Sequence, residues 1–220
     1  MKILNIGSLN IDQVYNVDHI VRPGETISCS GYSQFCGGKG LNQSIALARA
    51  GAEVWHVGKV GKDGLILKDR LGKDGVNHSM VEAVDVPTGH AVIQVDSQGE
   101  NSIFLYGGAN QAIRPADVQA ALDLLEDGDM LLLQNEISAM REILELAKDK
   151  GVPVAFNPAP FGPEVKDYPL DGVAFLIVNE TEGHGFTGKS APKEMIDEMR
   201  KRFPNAAIVL TLGAAGVMYR

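Results

Sequence analysis

Cysteine is scarce in this chain: Cys29 and Cys36 are the only two. They form neither a Cys-x-x-Cys pair nor a disulfide framework. That excludes a disulfide-stapled secreted scaffold and fits two reduced thiols in a cytoplasmic protein. Long apolar runs are missing too, so nothing in the sequence would cross a bilayer as a helix. The apolar stretch within Met1 to Gly7 is too short for a signal peptide and reads as a first strand. Positive charge is in deficit, with 20 Lys and Arg against 28 Asp and Glu and a net charge of −8. This argues against a nucleic-acid or anionic-membrane partner, although a local site can still oppose the global charge. His19, His56, His78, His90 and His184 show no metal-ligand spacing and read as structural or exposed. Two nucleotide signatures are also absent. No G-x-G-x-x-G follows the first strand, which speaks against a dinucleotide enzyme, and no G-x-x-x-x-G-K-[ST] loop occurs. There is no internal repeat and no low-complexity tract.

What is present is an ordinary globular composition, 45% hydrophobic and 22% charged over 220 residues. That length suits one large α/β domain or one domain with a small appendage. The stretch from Phe35 to Ala48 organises the chain. Gly37-Gly38-Lys39-Gly40 runs straight into an amphipathic helix with Leu41, Ile45 and Ala48 on one face. Lys39 and Asn42 stand at its start, where helical N–H groups lack partners and a polyhydroxyl or anionic ligand would be welcome.

Upstream, Asn10 and Asp12 lie just past the carboxyl end of the first strand. Residues 13–36 are rich in strand formers and turns and read as a β excursion from the core. Glu53 to Val60 reads as a core strand, and Asp63 as the cap of a helix carrying Leu65, Leu67 and Leu71. Residues 88–109 read as a second β excursion. Its two strands flank the hairpin signal Asp96-Ser97-Gln98-Gly99-Glu100. From Pro115 onward helices and strands alternate. Ser138 and Ser190 read as helix caps, and strands end at Gln134, Asn157, Asn179 and Leu212. Such alternation predicts a mostly parallel sheet with helices on both faces.

Asn10, Asp12, Glu136, Asn157, Asn179, Glu182 and Thr211 all follow apolar strands. In a parallel sheet those ends lie along one edge, so these amides and carboxylates describe a cleft.

In order along the chain stand Gly7-Ser8-Leu9-Asn10-Ile11-Asp12, Pro23-Gly24-Glu25-Thr26, Gly37-Gly38-Lys39-Gly40-Leu41-Asn42-Gln43 and Gly108-Ala109-Asn110. Asn157-Pro158-Ala159-Pro160, Asn179-Glu180-Thr181-Glu182 and Thr211-Leu212-Gly213-Ala214-Ala215-Gly216 follow them. Together these motifs resemble the ribokinase-like (PfkB) carbohydrate kinase family over the whole chain. The resemblance implies a Rossmann-type three-layer core of residues 1–220, incomplete at its C-terminus, with residues 13–36 and 88–109 as a β lid. It implies transfer of the γ-phosphoryl group of ATP to a primary hydroxyl of a pentose, O5 of D-ribose. By match to the family, Asn10, Asp12, Gly38, Lys39, Asn42 and Glu136 are sugar ligands, and carboxylates and amides suit paired sugar hydroxyls. Asn179, Thr211, Gly213 and Gly216 match the nucleotide segment, and Glu182 matches an acidic residue that organises Mg²⁺, through water. A lid-mediated homodimer is implied as well. The family's Gly-Ala-Gly-Asp run, which supplies the anion hole and the catalytic base, does not occur in these residues, and the adenine pocket and the K⁺ site also come later in the family. The sequence therefore leaves open a shortened chain, an interrupted gene, or a non-catalytic sugar-binding or regulatory protein. An incomplete sheet would also leave apolar surface uncovered.

Overall fold

The computed structural model describes residues 1–220. An eight-stranded sheet carries the core. Its first strand, β1 (Lys2–Ile6), lies centrally between β4 (Glu53–Gly61) and β8 (Met130–Gln134), parallel to both. Beyond β4 comes β5 (Asn77–Val84). Beyond β8 come β9 (Val154–Asn157), β10 (Val173–Asn179) and β11 (Ala207–Thr211), all parallel. A short antiparallel strand, β12 (Val217–Tyr219), closes that edge. The chain thus starts in the middle, winds one way to β5, then restarts at β8 and winds the other way. The switch point between β1 and β8 opens a crevice at their carboxyl ends, where ligands bind in such sheets.

The alternation along β1 shows how both faces are used. Leu4 and Ile6 point into the larger core with α3 (Pro115–Leu122), α4 (Met140–Asp149), α5 (Glu180–Thr187) and α6 (Pro192–Arg202). Ile3 faces the other side, where α1 (Lys39–Arg49) and α2 (Leu65–Lys73) lie. Those two helices cover only the β8–β1–β4–β5 half. On the remaining half of that side Phe175, Ile177, Val209 and Tyr219 form a strip with no helix over it, Phe175 being 39% and Tyr219 80% exposed.

A second sheet of four strands stands apart, in the order β3 (Gly31–Gly37), β2 (Asn10–Asn16), β6 (Gly89–Val95) and β7 (Asn101–Tyr106). Residues 17–30, expected to be largely strand, are irregular, and the strand into the small sheet begins at Asn10 rather than 13. Asn10 and Asp12 are therefore at the base of this sheet, not in a turn after β1. Asn10 pairs with Gly37 on one side and Gly89 on the other, so both segments enter the small sheet at one place.

Three expected caps differ. Ser138 donates to the Ile113 carbonyl at 2.8 Å, and the residue before α4 is Ala139, in the left-handed region at φ 59°. Ser190 precedes Ala191, the residue that opens α6, and Pro192 takes the first helical position. Asp63 lies in a 3₁₀ turn and accepts from the Thr88 hydroxyl at 2.7 Å and the Thr88 N–H at 3.0 Å, fastening the base of β6.

Candidate active site

The crevice is built from the loop after β1, the first turn of α1 and the residues after β8. Gly38 precedes α1 with φ 96°, which L side chains rarely adopt, and a Cβ there would lie 2.8 Å from the Ser8 carbonyl oxygen. The glycine lets the chain leave β3 and enter the helix within contact of Ser8. The first-turn N–H groups are not free for a ligand, contrary to expectation. Lys39 N–H donates to Glu136 Oε2 at 3.1 Å, Gly40 N–H to Ser8 Oγ at 3.2 Å and Leu41 N–H to the Ser8 carbonyl at 3.0 Å. Side chains, not the helix start, face the crevice.

Glu136 is the hub. Its Oε1 accepts from Lys39 Nζ at 2.7 Å and its Oε2 also accepts from the Ser8 hydroxyl. Asn10 is fixed from the opposite wall. Asn110 Nδ2 donates to Asn10 Oδ1 at 2.7 Å, while Asn110 Oδ1 accepts from the Leu9 N–H at 2.9 Å. Asp12 lies over Gly37, where any Cβ would collide with its carboxylate. Its pKa is raised, first by burial and then by the nearby charge of Glu136, with Lys39 acting in the opposite direction. Asn42 lies exposed on α1, one turn beyond Gly38. Asn10, Asp12 and Glu136 were expected at one sheet edge, and Gly38, Lys39 and Asn42 beside them only by family match; Ser8 and Asn110 had no expected role, although both lie in motifs that carry the resemblance. A cavity of about 200 Å³ opens beside Asn10, Asn110 and Glu136. A larger hollow of about 360 Å³ lies near β4, β5 and α3, but its buried Lys59 is already paired with Glu82 at 3.0 Å and Asp117 at 2.7 Å.

A buried polar chain supports the crevice from below. Gln134 Nε2 donates to Asn5 Oδ1 at 3.0 Å and Gln43 Oε1 at 2.7 Å. Asn5 Nδ2 donates to the Gly40 carbonyl and to Ser44 Oγ, each at 2.8 Å. Ser44 Oγ meets His56 Nδ1 at 2.8 Å, and His56 Nε2 meets the Gly7 carbonyl at 3.2 Å. A carbonyl only accepts, so Nε2 carries the ring hydrogen and Nδ1 accepts from Ser44. Every hydrogen in the chain then has one direction. His56 is wholly buried and its pKa is lowered to about 4 by that burial, against a weaker opposing pull from the Gly7 carbonyl.

Further along the edge the groups are differently arranged. Asn157 Nδ2 donates to the Ile177 carbonyl at 2.9 Å and Thr211 Oγ1 to the Val178 carbonyl at 3.3 Å, so both tie strands together. Asn179 and Thr211 are side by side at the ends of β10 and β11, and both are exposed. Gly213 and Gly216 form the exposed turn between β11 and β12. Asn179 caps α5: its Oδ1 accepts from the Glu182 N–H at 2.9 Å. Glu182 accepts in return from the Asn179 backbone N–H at 2.9 Å and from Asn179 Nδ2 at 3.0 Å. Burial raises the pKa of Glu182. Each Glu182 oxygen thus accepts one hydrogen bond inside the capping box and keeps a lone pair besides. Asn179→Ala is expected to destabilise the protein by about 1 kcal/mol, the usual worth of a helix cap; thermal denaturation checks this.

The sequence profile of the pfkB family carbohydrate kinases matches residues 1–220. The chain belongs to that family. Among curated pfkB-type relatives, it is 36% identical over 228 residues to the bifunctional ribokinase/ribose-5-phosphate isomerase A of Fructilactobacillus sanfranciscensis, covering 99% of this chain and 42% of the relative. It is 35% identical to the ribokinase of Bacillus subtilis, covering 97% of this chain and 72% of the relative. Among solved structures, the ribokinase of Cryptococcus neoformans in complex with ADP superposes with a TM-score of 0.82 at 35% identity, over 100% of this chain and 75% of that one. The chain thus spans less than half of the bifunctional relative and about three quarters of the other two. The parallel sheet with helices on both faces is the fold of these pfkB-type structures. No helix is long and apolar enough to cross a membrane.

Proposed function

We propose that these residues form the sugar-binding part of an ATP-dependent pentose kinase whose acceptor is D-ribose, phosphorylated at O5. The observation that carries this reading is the polar ring at the switch point, where Ser8, Asn10, Asp12, Lys39, Asn110 and Glu136 converge from β1, the small sheet, α1, a 3₁₀ turn and the end of β8. A furanose presents hydroxyls that both donate and accept. Asp12, with no hydrogen-bond donor of its own in the free protein, supplies an acceptor. Asn10 Nδ2 and Lys39 supply donors. Glu136, held by Lys39 and Ser8, needs no rearrangement to receive a hydroxyl. ATP supplies the phosphoryl group. Asn179, Thr211, Gly213 and Gly216, exposed along the same edge, are the residues of this chain that would border its phosphates. In this reading the base for the acceptor hydroxyl belongs to the family's Gly-Ala-Gly-Asp run, and what the crevice residues provide is binding and orientation.

The small sheet, in this reading, is a lid over the sugar. A lid fits the chemistry, since phosphoryl transfer to a sugar requires exclusion of water. Phe35 and Ile103 lie on one face of it and are each more than half exposed, and we assign that apolar surface to pairing with the lid of a second copy. The two free cysteines accord with a cytoplasmic setting.

Calorimetric titration with D-ribose tests the proposal. The protein binds the sugar, and Asp12→Ala weakens binding by about 2 kcal/mol, roughly thirtyfold, because sugar hydroxyls lose a charged acceptor. Absence of ribose binding, or equal affinity in the variant, would overturn the assignment.

A further inference from the structure

Gln111 follows Asn110 in the 3₁₀ turn Gly108–Ala112 and lines the same cavity as Asn10, Asn110 and Glu136. Its side chain is held at both ends. The stem packs on Gly107, where an added Cβ would meet Gln111 Cγ at 2.6 Å. The amide Nε2 donates to the Glu136 carbonyl oxygen at 3.1 Å. The second N–H and the amide oxygen have no protein partner. Asn135, on the same wall, differs. Its Nδ2 donates to the Pro160 carbonyl at 2.8 Å and Glu164 Oε1 at 3.2 Å, and its Oδ1 accepts from the Tyr168 hydroxyl at 3.1 Å. Its hydrogen-bonding groups are committed to the loop after β9.

We propose that Gln111 is a specificity-determining sugar ligand that takes the hydroxyl next to the one received by Glu136. The inference rests on the sugar-site reading given above. An amide reads a hydroxyl well because it can both accept and donate. Its stem and one N–H are already fixed, so little side-chain entropy remains to be lost on binding. Asn110 beneath it is locked to Leu9 and Asn10, so the turn that carries Gln111 is rigidly set against the crevice. Recognition of one hydroxyl by an added neutral hydrogen bond discriminates against the sugar lacking it.

The experiment is a matrix of calorimetric titrations of the wild-type protein, Gln111→Ala and Asp12→Ala against D-ribose and its monodeoxy analogues. Gln111→Ala is expected to weaken D-ribose binding about fivefold, within the range of one neutral hydrogen bond. For one deoxy sugar, the one missing the hydroxyl that Gln111 takes, wild type and variant bind alike; for the others the fivefold loss persists. A loss of the same size for every analogue would show a role in shaping the loop, and no loss at all would show a surface amide without function. Either outcome overturns the proposal while leaving the Asp12→Ala effect in place. If the wild type binds none of these sugars, the sugar-site reading itself falls and Gln111 with it.

Discussion

Gly40→Ala is expected to lower stability by about 3 kcal/mol, the upper end of the usual cost of overpacking. For a domain of this size that corresponds to a fall of about 6–12 °C in Tm. In an exposed helix the same substitution would stabilise by about 1 kcal/mol. Here a Cβ would lie 2.4 Å from Ser8 N, 2.6 Å from Gly7 C and 2.7 Å from Gly7 Cα. All three are backbone atoms, so no side-chain rotation relieves the overlap. The helix would have to retreat from β1, yet Gly40 N–H, Leu41 N–H and the Gly40 carbonyl are each bonded across that seam. Retreat also draws Lys39 away from Ser8 and Glu136, so on the proposed sugar-site reading D-ribose affinity should fall more than tenfold alongside stability. Thermal denaturation and titration with D-ribose check both effects. A variant as stable as the wild type would show that the seam is soft and that α1 is not held by this contact.

The second large effect is a pH dependence of stability set by His56. The folded ring has its pKa lowered to about 4, against about 6.5 in an unfolded chain. Between these values the unfolded state takes up a proton that the folded state refuses. The contribution is therefore fully present above pH 6.5 and is lost as pH falls toward 4, by about 3 kcal/mol. The geometry gives the reason. A proton on Nδ1 would face Ser44 Oγ, whose own hydrogen already points at that nitrogen. Turning it away would set it against Asn5 Nδ2. Asp12 and Glu182, whose pKa values are raised in the fold, act in the opposite direction as pH falls. Comparison with His56→Gln cancels them. The variant should be less stable at pH 7, and the gap should narrow by about 3 kcal/mol by pH 4 in chemical denaturation. Parallel curves for the two proteins would mean that the ring is not the source.

Much of the core was legible because parallel strands buried on both faces show as apolar runs: Met130 to Leu133 and Ala207 to Leu210 could hardly be anything else. β5 was not, because it is an edge strand. Asn77-His78-Ser79-Met80-Val81-Glu82 shows only one buried residue, Val81, and carries little apolar signal. α5 escaped notice because Gly183 and Gly185 depress helix propensity; its Asn-x-x-Glu opening is a capping box that spacing alone could have revealed. In the candidate site, Asn10, Lys39 and Glu136 stood out as polar residues at strand or helix ends. Ser8 and Asn110 did not stand out, since each acts through partners distant along the chain, Gly40 and Glu136 for Ser8 and Leu9 and Asn10 for Asn110. The serines at 138 and 190 looked like caps by type, and only the fold shows the hydroxyl of Ser138 turned toward Ile113.

The one-way run of hydrogens beneath the crevice makes the ring of His56 an internal gauge. It ends at the carbonyl of Gly7, one peptide before Ser8, whose hydroxyl is on Glu136. Any ligand that shifts the Ser8 loop must stretch or shorten the Nε2–H contact, with no exchange of tautomer to blur the reading. The ring nitrogens would thus give two sharp, separate resonances in ¹⁵N spectra, and the protonated one would track occupancy of the crevice from a residue that no ligand touches.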